Sequence, residues 1–163
     1  MNITEGIILA TKGHDGQTRK DGSPYIYHPL KVALALKEKG YDERFQMAGL
    51  FHDLLEDTDV SKEEILALSD EEVLKAVELL TKEKGYREDE YIDAILLNPI
   101  AKAVKTEDRI YNLNDAANLD ENHLKFIEKY LKETETFFLG RFSEEVDEAY
   151  YKLKARRDFL IQQ

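Results

Sequence analysis

The sequence predicts an all-α, bundle-like helical domain. Three observations carry that prediction. Apolar residues recur at helical spacing through most of the chain, capping residues punctuate those stretches, and the three prolines fall at element boundaries. With 163 residues, 42 % of them hydrophobic, one domain over 1–163 with one core is expected. No apolar run approaches the ~18–20 residues of a membrane span.

Residues 2–13 carry Ile3, Ile7, Leu9 and Ala10 and stop at Gly13, the first helix. Residues 14–27, HDGQTRKDGSPYIY, form a polar loop punctuated by Gly16, Gly22 and Pro24. Pro29 suits the first position of the next helix. That places His28 at its N-cap in an extended conformation, because a residue before proline is pushed out of the α region. This helix ends at KEKG, with Gly40 as a left-handed cap. Residues 43–57 read as one helix, with Met47, Leu50, Phe51, Leu54 and Leu55 on its apolar face. Ser61…Glu64 and Ser69…Glu72 have the capping-box pattern and predict two helix starts. The second of these helices is expected to end at another KEKG, capped by Gly85. Residues 87–97 are apolar at Tyr91, Ile92, Ile95 and Leu96, and Asn98-Pro99 opens a helix running to about 113. Residues 121–139 and 144–161 close the chain as helices, the last capped by Ser143. No stretch reads as a strand.

There are 34 acids and 23 bases, a net charge of −11. A broad basic surface for nucleic acid is therefore not expected. An anionic small molecule stays compatible, because a metal ion and a few bases reverse the field locally. Residues 53–72 hold nine acids and one base, Lys62, much of it a solvated face and helix N-terminal turns. The chain has no cysteine, which excludes disulfides, thiol nucleophiles, cysteine zinc sites and iron–sulfur clusters. The stretch MNITEGIILATKGHDG has no basic n-region or cleavage site, so no signal peptide and no membrane partner are expected, and a cytoplasmic location is the default.

Asp53, Glu56 and Asp57 need more than a solvated face. In a continuous helix Glu56 lies over His52 and Asp57 over Asp53. Like charges at that spacing repel unless something positive lies between them. Asp108 belongs to the stripe Ile100, Val104, Asp108, Asn112, whose apolar start faces the core, and a carboxylate carried inward needs a partner. His28 points from its turn across a cleft. Each piece also has a purely structural reading: an acidic helix end, a salt bridge from Asp108 to Arg109 or Lys105, and a histidine packed between Tyr25 and Tyr27. Taken together, His28, His52, Asp53 and Asp108 offer two imidazoles and two carboxylates, a set suited to Mn²⁺, Fe²⁺ or Mg²⁺. Glu56 and Asp57 then stand one turn away, within reach of water at the ion.

The stretches HDGQTRKDGSPYIYHPLKVA (14–33), AGLFHDLLEDT (48–58) and NPIAKAVKTEDRIYNL (98–113) resemble the HD-domain metal phosphohydrolases. More specifically, they are similar to the hydrolase domain of RelA/SpoT-type enzymes and their small stand-alone relatives, which hydrolyse the alarmones ppGpp and pppGpp. The likeness covers the first 113 residues; the last fifty match only as generic helices. It implies that His28, His52, Asp53 and Asp108 bind Mn²⁺ and that Glu56 and Asp57 act on the attacking water. It implies too that Arg19 and Lys20 contact the nucleotide and that Asn112 lies near its ribose. The reaction it implies removes pyrophosphate from the ribose 3′ position of ppGpp. His14 matches a family position but reads as a loop brace, and His123 as a surface residue.

The run KTEDR departs from the more usual Lys-Leu-Ala-Asp-Arg, putting Thr106 and Glu107 where apolar residues are commoner. No alarmone-synthesis domain is expected after residue 113. Two competing readings are an HD-type phosphohydrolase acting on another nucleotide, and a metal- or nucleotide-binding sensor without turnover. Glu56 and Asp57 argue against the second, since binding alone does not require them.

Overall fold

A computed structural model describes residues 1–162. The chain forms two compact units, Met1–Glu107 and the part from Asp108 onward. The first contains helices α1 (Ile3–Gly13), α2 (Tyr27–Glu38), α3 (Glu43–Phe51), α4 (Leu54–Asp57), α5 (Lys62–Leu68), α6 (Glu71–Leu79) and α7 (Glu88–Leu96). Helix α8 (Pro99–Ala116) starts in it and runs on unbroken past residue 107. The second unit continues with a 3₁₀ turn (Glu121–His123), α9 (Leu124–Phe137) and α10 (Glu144–Ile161). Among the described residues there is no strand, only an isolated bridge between Thr18 and Pro24. None of their helices is long and apolar enough to cross a membrane.

Helix α3 is the centre of the first unit. Five consecutive residues, Met47 to Phe51, are buried, so all its faces meet protein, and it packs on α1, α2 and α6. Gly49 allows the approach to α2: a Cβ there would stand 3.1 Å from Leu36 Cδ1 and 3.4 Å from the backbone of Ala33. The loop between α1 and α2 folds back as a short hairpin. Tyr25 N–H donates to Gln17 O at 2.8 Å and Arg19 N–H to Ser23 O at 2.9 Å. Gly22, with φ +86°, makes the turn between them, a conformation that other residues rarely adopt.

The second unit is built around a buried cation. Arg109 pairs with Glu133 at 2.6 Å and lies over the rings of Tyr130 and Phe138, 4.2 and 3.9 Å from their centres. Nearby, the Tyr150 hydroxyl donates to Glu135. Burial and that bond push the phenol well above its ordinary value.

Several local expectations are corrected. His28 is not an extended N-cap: α2 begins at Tyr27, its N-cap is Ile26, and His28 lies inside the first turn. Pro29 tolerates this because the first-turn N–H it lacks has no helical partner anyway. The helix expected over 43–57 breaks after Phe51. The His52 ring takes the Gly49 carbonyl at 2.6 Å, the acceptor that a continued helix offers to residue 53. Asp70, not Ser69, caps α6, accepting from Val73 N–H at 2.9 Å. Ser69 instead bonds back to Ile65 O and ends α5. The second KEKG is a loop, since α6 stops at Leu79, though Gly85 does have a positive φ. Helix α8 continues to Ala116, and α9 ends at Phe137. The Ser61 capping box, the Asn98 cap and the Ser143 cap form as predicted.

Candidate metal centre

His28 in the first turn of α2, His52 at the end of α3 and Asp108 on α8 are all buried. One ligand atom from each lies within 4.8 Å of the others. The rings of His28 and His52 meet edge-on, with centroids 5.4 Å apart. The neighbours of His52 decide its proton. Its Nδ1 faces Gly49 O at 2.6 Å, and a carbonyl can only accept, so Nδ1 carries the hydrogen. In the neutral ring Nε2 then presents a lone pair, 3.1 Å from Oδ2 of Asp53; in the charged ring it donates a hydrogen there. With the neutral ring two acceptors face each other, beside a second imidazole and a second carboxylate. Such an arrangement is repulsive until a proton or a cation lies among them. The donor set thus fits a divalent ion with mixed nitrogen and oxygen ligands.

Asp53 stands beside the three rather than among them: its Oδ2 also accepts from the Tyr25 hydroxyl. Asp108 Oδ1 accepts from Asn112 Nδ2 at 3.2 Å, so Asn112 orients the carboxylate one turn below it. The salt bridge from Asp108 to Arg109 that the sequence also allowed is not what engages the guanidinium, which goes to Glu133. The unusual Glu107 and Thr106 are buried and partnered, Glu107 by Lys39 Nζ at 2.9 Å and Thr106 by Lys102 O at 2.7 Å.

The one-turn helix α4 carries Glu56 and Asp57. Because α3 breaks, Glu56 does not continue a helical stripe from His52. Its Oε1 accepts from the Lys82 backbone N–H at 2.6 Å, on the wall of a cleft of about 450 Å³ that also includes Leu55, Lys62, Thr81 and Lys84. Asp57 has its carboxyl pushed up to about 6. Desolvation is the main cause, followed by the charges of Asp53 and Glu56; His52 acts the other way. Arg19 lies with its guanidinium carbon 5.7 Å from the Tyr25 ring centre, and Lys20 is exposed on the same loop.

Three further residues, Gln17, His14 and Tyr25, surround these side chains, and no sequence motif gives them a chemical role. Gln17 Nε2 donates to Asp57 O at 2.8 Å, which leaves Gln17 Oε1 to accept the Nδ1 proton of His14, also at 2.8 Å. His14 is buried and does brace the loop, as expected. Burial holds its pKa below the ordinary value, against the raising effects of Gln17 and Asp53; His52 and His28 lower it further. Tyr25 was expected only as packing for His28, and its ring centroid does lie 5.9 Å from that of His28. Its bond to Asp53 is new. The signal was the tyrosine in the PYIYHP stretch, whose hydroxyl needs a partner wherever the ring is covered.

The HD-domain family model matches residues 7–134. The chain belongs to the HD-domain family. His28, His52, Asp53 and Asp108 all lie within the matched residues of this HD-domain chain. A guanosine-3′,5′-bis(diphosphate) 3′-pyrophosphohydrolase of Aquifex aeolicus is 39 % identical over 135 residues, 78 % of this chain and 19 % of its own length. One of the same name from Borreliella burgdorferi is 44 % identical over 81 residues, 50 % of this chain and 12 % of its own. The chain thus spans about a fifth or less of these curated relatives. A solved structure, of a metazoan ortholog of SpoT that hydrolyzes ppGpp and plays a role in starvation responses, matches with a TM-score of 0.70. It is 24 % identical and the match covers 96 % of each chain, which shows the fold.

Proposed function

We propose that this HD-domain chain is a metal-dependent ppGpp 3′-pyrophosphohydrolase, with residues 1–163 acting as one catalytic domain. In this reading His28, His52, Asp53 and Asp108 hold the cation, with Mn²⁺ the first choice. Glu56 and Asp57 serve the attacking water, Arg19 and Lys20 grip phosphate, and Asn112 faces the ribose. A nucleotide is the only partner the reading requires. The observation that carries it is the convergence of His28, His52 and Asp108, buried, with ligand atoms within 4.8 Å. The choice of ppGpp rests on what the relatives from Aquifex aeolicus and Borreliella burgdorferi are named for.

In the proposed reaction a water oxygen bonds to the phosphorus attached to O3′. The P–O3′ bond breaks, and O3′ leaves as the hydroxyl of GDP while pyrophosphate departs. A divalent cation bound at the centre supplies Lewis acidity, easing loss of a proton from water and offsetting charge on phosphate oxygens. Asp57 accepts that proton: its carboxyl, pushed up to about 6 in the metal-free chain by desolvation and its acidic neighbours, belongs to a group that can act as a general base. Glu56, tied to the Lys82 N–H, orients the water rather than taking its proton. Arg19 suits a phosphate through its fork of donors, and Lys20 acts as a point charge. Both are needed because the chain's net charge of −11 repels an anion.

The test is product analysis of ppGpp incubated with the protein and Mn²⁺, with a chelator control. GDP and pyrophosphate, both lost with chelator, are expected. Release of orthophosphate, or no product from a protein that binds ppGpp tightly, overturns the assignment.

A further inference from the structure

The loop between α1 and α2 touches the one-turn helix α4 at both ends, each time through a side-chain hydrogen bond. At one end the Tyr25 hydroxyl donates to Asp53, the N-cap residue of α4. At the other, Gln17 donates to the carbonyl of Asp57, 40 residues away in sequence. A four-residue helix closes a single turn and gains too little to hold its own shape. Asp53 also makes no side-chain capping bond to it. The Asp53 carboxylate is held instead by contacts outside the helix, the Tyr25 hydroxyl of the loop and the His52 ring at 3.1 Å among them.

Tyr25 is itself fixed. Its backbone N–H bonds to Gln17 O at 2.8 Å across the hairpin, and its ring centroid lies 4.8 Å from that of His14 and 5.9 Å from that of His28. The guanidinium carbon of Arg19 is 5.7 Å from the ring centre. One side chain thus meets a proposed phosphate contact through its ring and a proposed cation ligand through its hydroxyl.

We infer that Tyr25 is a positioning residue for Asp53: its hydroxyl fixes the carboxylate through one oxygen and directs the rest of its acceptor capacity toward the cation. The inference rests on the metal-dependent reading above. A carboxylate has about four lone-pair directions, so one donated bond orients it without exhausting it. Hydrogen bonds to metal-ligating carboxylates from such neighbours are typically worth about 10–100-fold in metal affinity or activity.

The test uses Tyr25→Phe, which keeps the ring and removes only the hydroxyl. Tyr27→Phe, at an exposed tyrosine two residues along, is the control. Mn²⁺ affinity of the full chain is measured by competition with a chromophoric chelator, independently of turnover. Tyr25→Phe is expected to bind Mn²⁺ about 10–100-fold more weakly, with Tyr27→Phe matching wild type. Unchanged affinity in Tyr25→Phe, or tighter binding, overturns the inference and leaves the metal reading intact. A wild-type protein that binds no divalent ion removes the metal reading, and this inference with it.

Discussion

Asp108 and Arg109 are consecutive residues on one helix, both buried, and their surroundings could hardly differ more. Arg109 has its charge answered within the fold. Glu133 pairs with it at 2.6 Å, Thr134 Oγ1 lies 3.3 Å away, and two aromatic faces cover the guanidinium. Burial alone would lower its pKa, but the raising effects of Tyr130, Glu133 and Asp108 leave it above the ordinary value. Asp108 instead joins a gathering of acceptors. His52 Nε2 is turned toward a carboxylate oxygen, and His28 and Asp108 stand with it. In the first cluster a buried charge meets its counter-charge, although Arg109 Nε itself has no partner. In the second, two imidazoles and two carboxylates are brought close together, the kind of gathering that a divalent cation suits.

The largest effect should separate the two clusters outright. Asp108→Asn is expected to reduce ppGpp hydrolysis to background and to remove the rise in melting temperature that Mn²⁺ gives the wild type. In chelator, the same variant should melt close to wild type, because relief of repulsion from Asp53 and the imidazoles offsets the lost attraction of Asp108 for Arg109. A clear loss of metal-free stability would mean that Asp108 belongs to the architecture after all. Next comes Asp57→Asn, expected to lower kcat by at least about 10²-fold, the usual scale of lost acid–base help, with Mn²⁺ still bound. Retained turnover would pass the proton to another group.

The opposite behaviour is predicted for the arginine cluster. Glu133→Ala leaves a buried guanidinium without its carboxylate. It should destabilise the protein by about 2–4 kcal/mol, somewhat under the cost for a fully buried pair because Glu133 is partly exposed. A lowered urea midpoint with unchanged Mn²⁺ affinity is the expected signature. If Mn²⁺ affinity fell with stability, the two clusters could not be treated as separate.

Much of this was legible in the sequence, and what was not has identifiable causes. The helices α7, α8 and α10, the Ser61 box, the Asn98 cap and the left-handed Gly40 all follow from local chemistry. His28, His52, Asp53 and Asp108 could be named as candidate ligands from residue type and spacing, but their convergence could not be read there; the structure brings ligand atoms of His28, His52 and Asp108 within 4.8 Å of one another. The break after Phe51 was hidden because the apolar pattern runs through it to the buried Leu54, with no glycine or proline to mark it. What ends the helix is a histidine side chain competing for a backbone carbonyl. Ser69 and Asp70 are adjacent and both able to cap, so the pattern could not choose between them. The bonds from Tyr25 to Asp53, Gln17 to Asp57 and Glu56 to Lys82 join residues 28, 40 and 26 positions apart, and no local periodicity encodes them.

The smallest expected effect concerns pH. In the metal-free protein the Asp57 carboxyl is pushed up from 3.8 to about 6, so the folded chain holds that proton more tightly than the unfolded chain does. Between those values the unfolded state carries fewer protons at this site, and stability must fall as pH rises. The contribution is fully favourable below about 3.8 and lost above about 6. Solvent exposure of the residue screens the effect, so it should be a shallow slope rather than a collapse. Melting curves in chelator across that window should show wild type losing stability relative to Asp57→Asn, which has no proton to lose. Adding Mn²⁺ should flatten the wild-type slope, because a cation among Asp53 and its neighbours offsets the charge that helps hold the Asp57 proton in place. Parallel curves for the two proteins would mean that the acidic turn is already neutralised within the fold, as Arg109 is, and the contrast between the two clusters would narrow to the histidines alone.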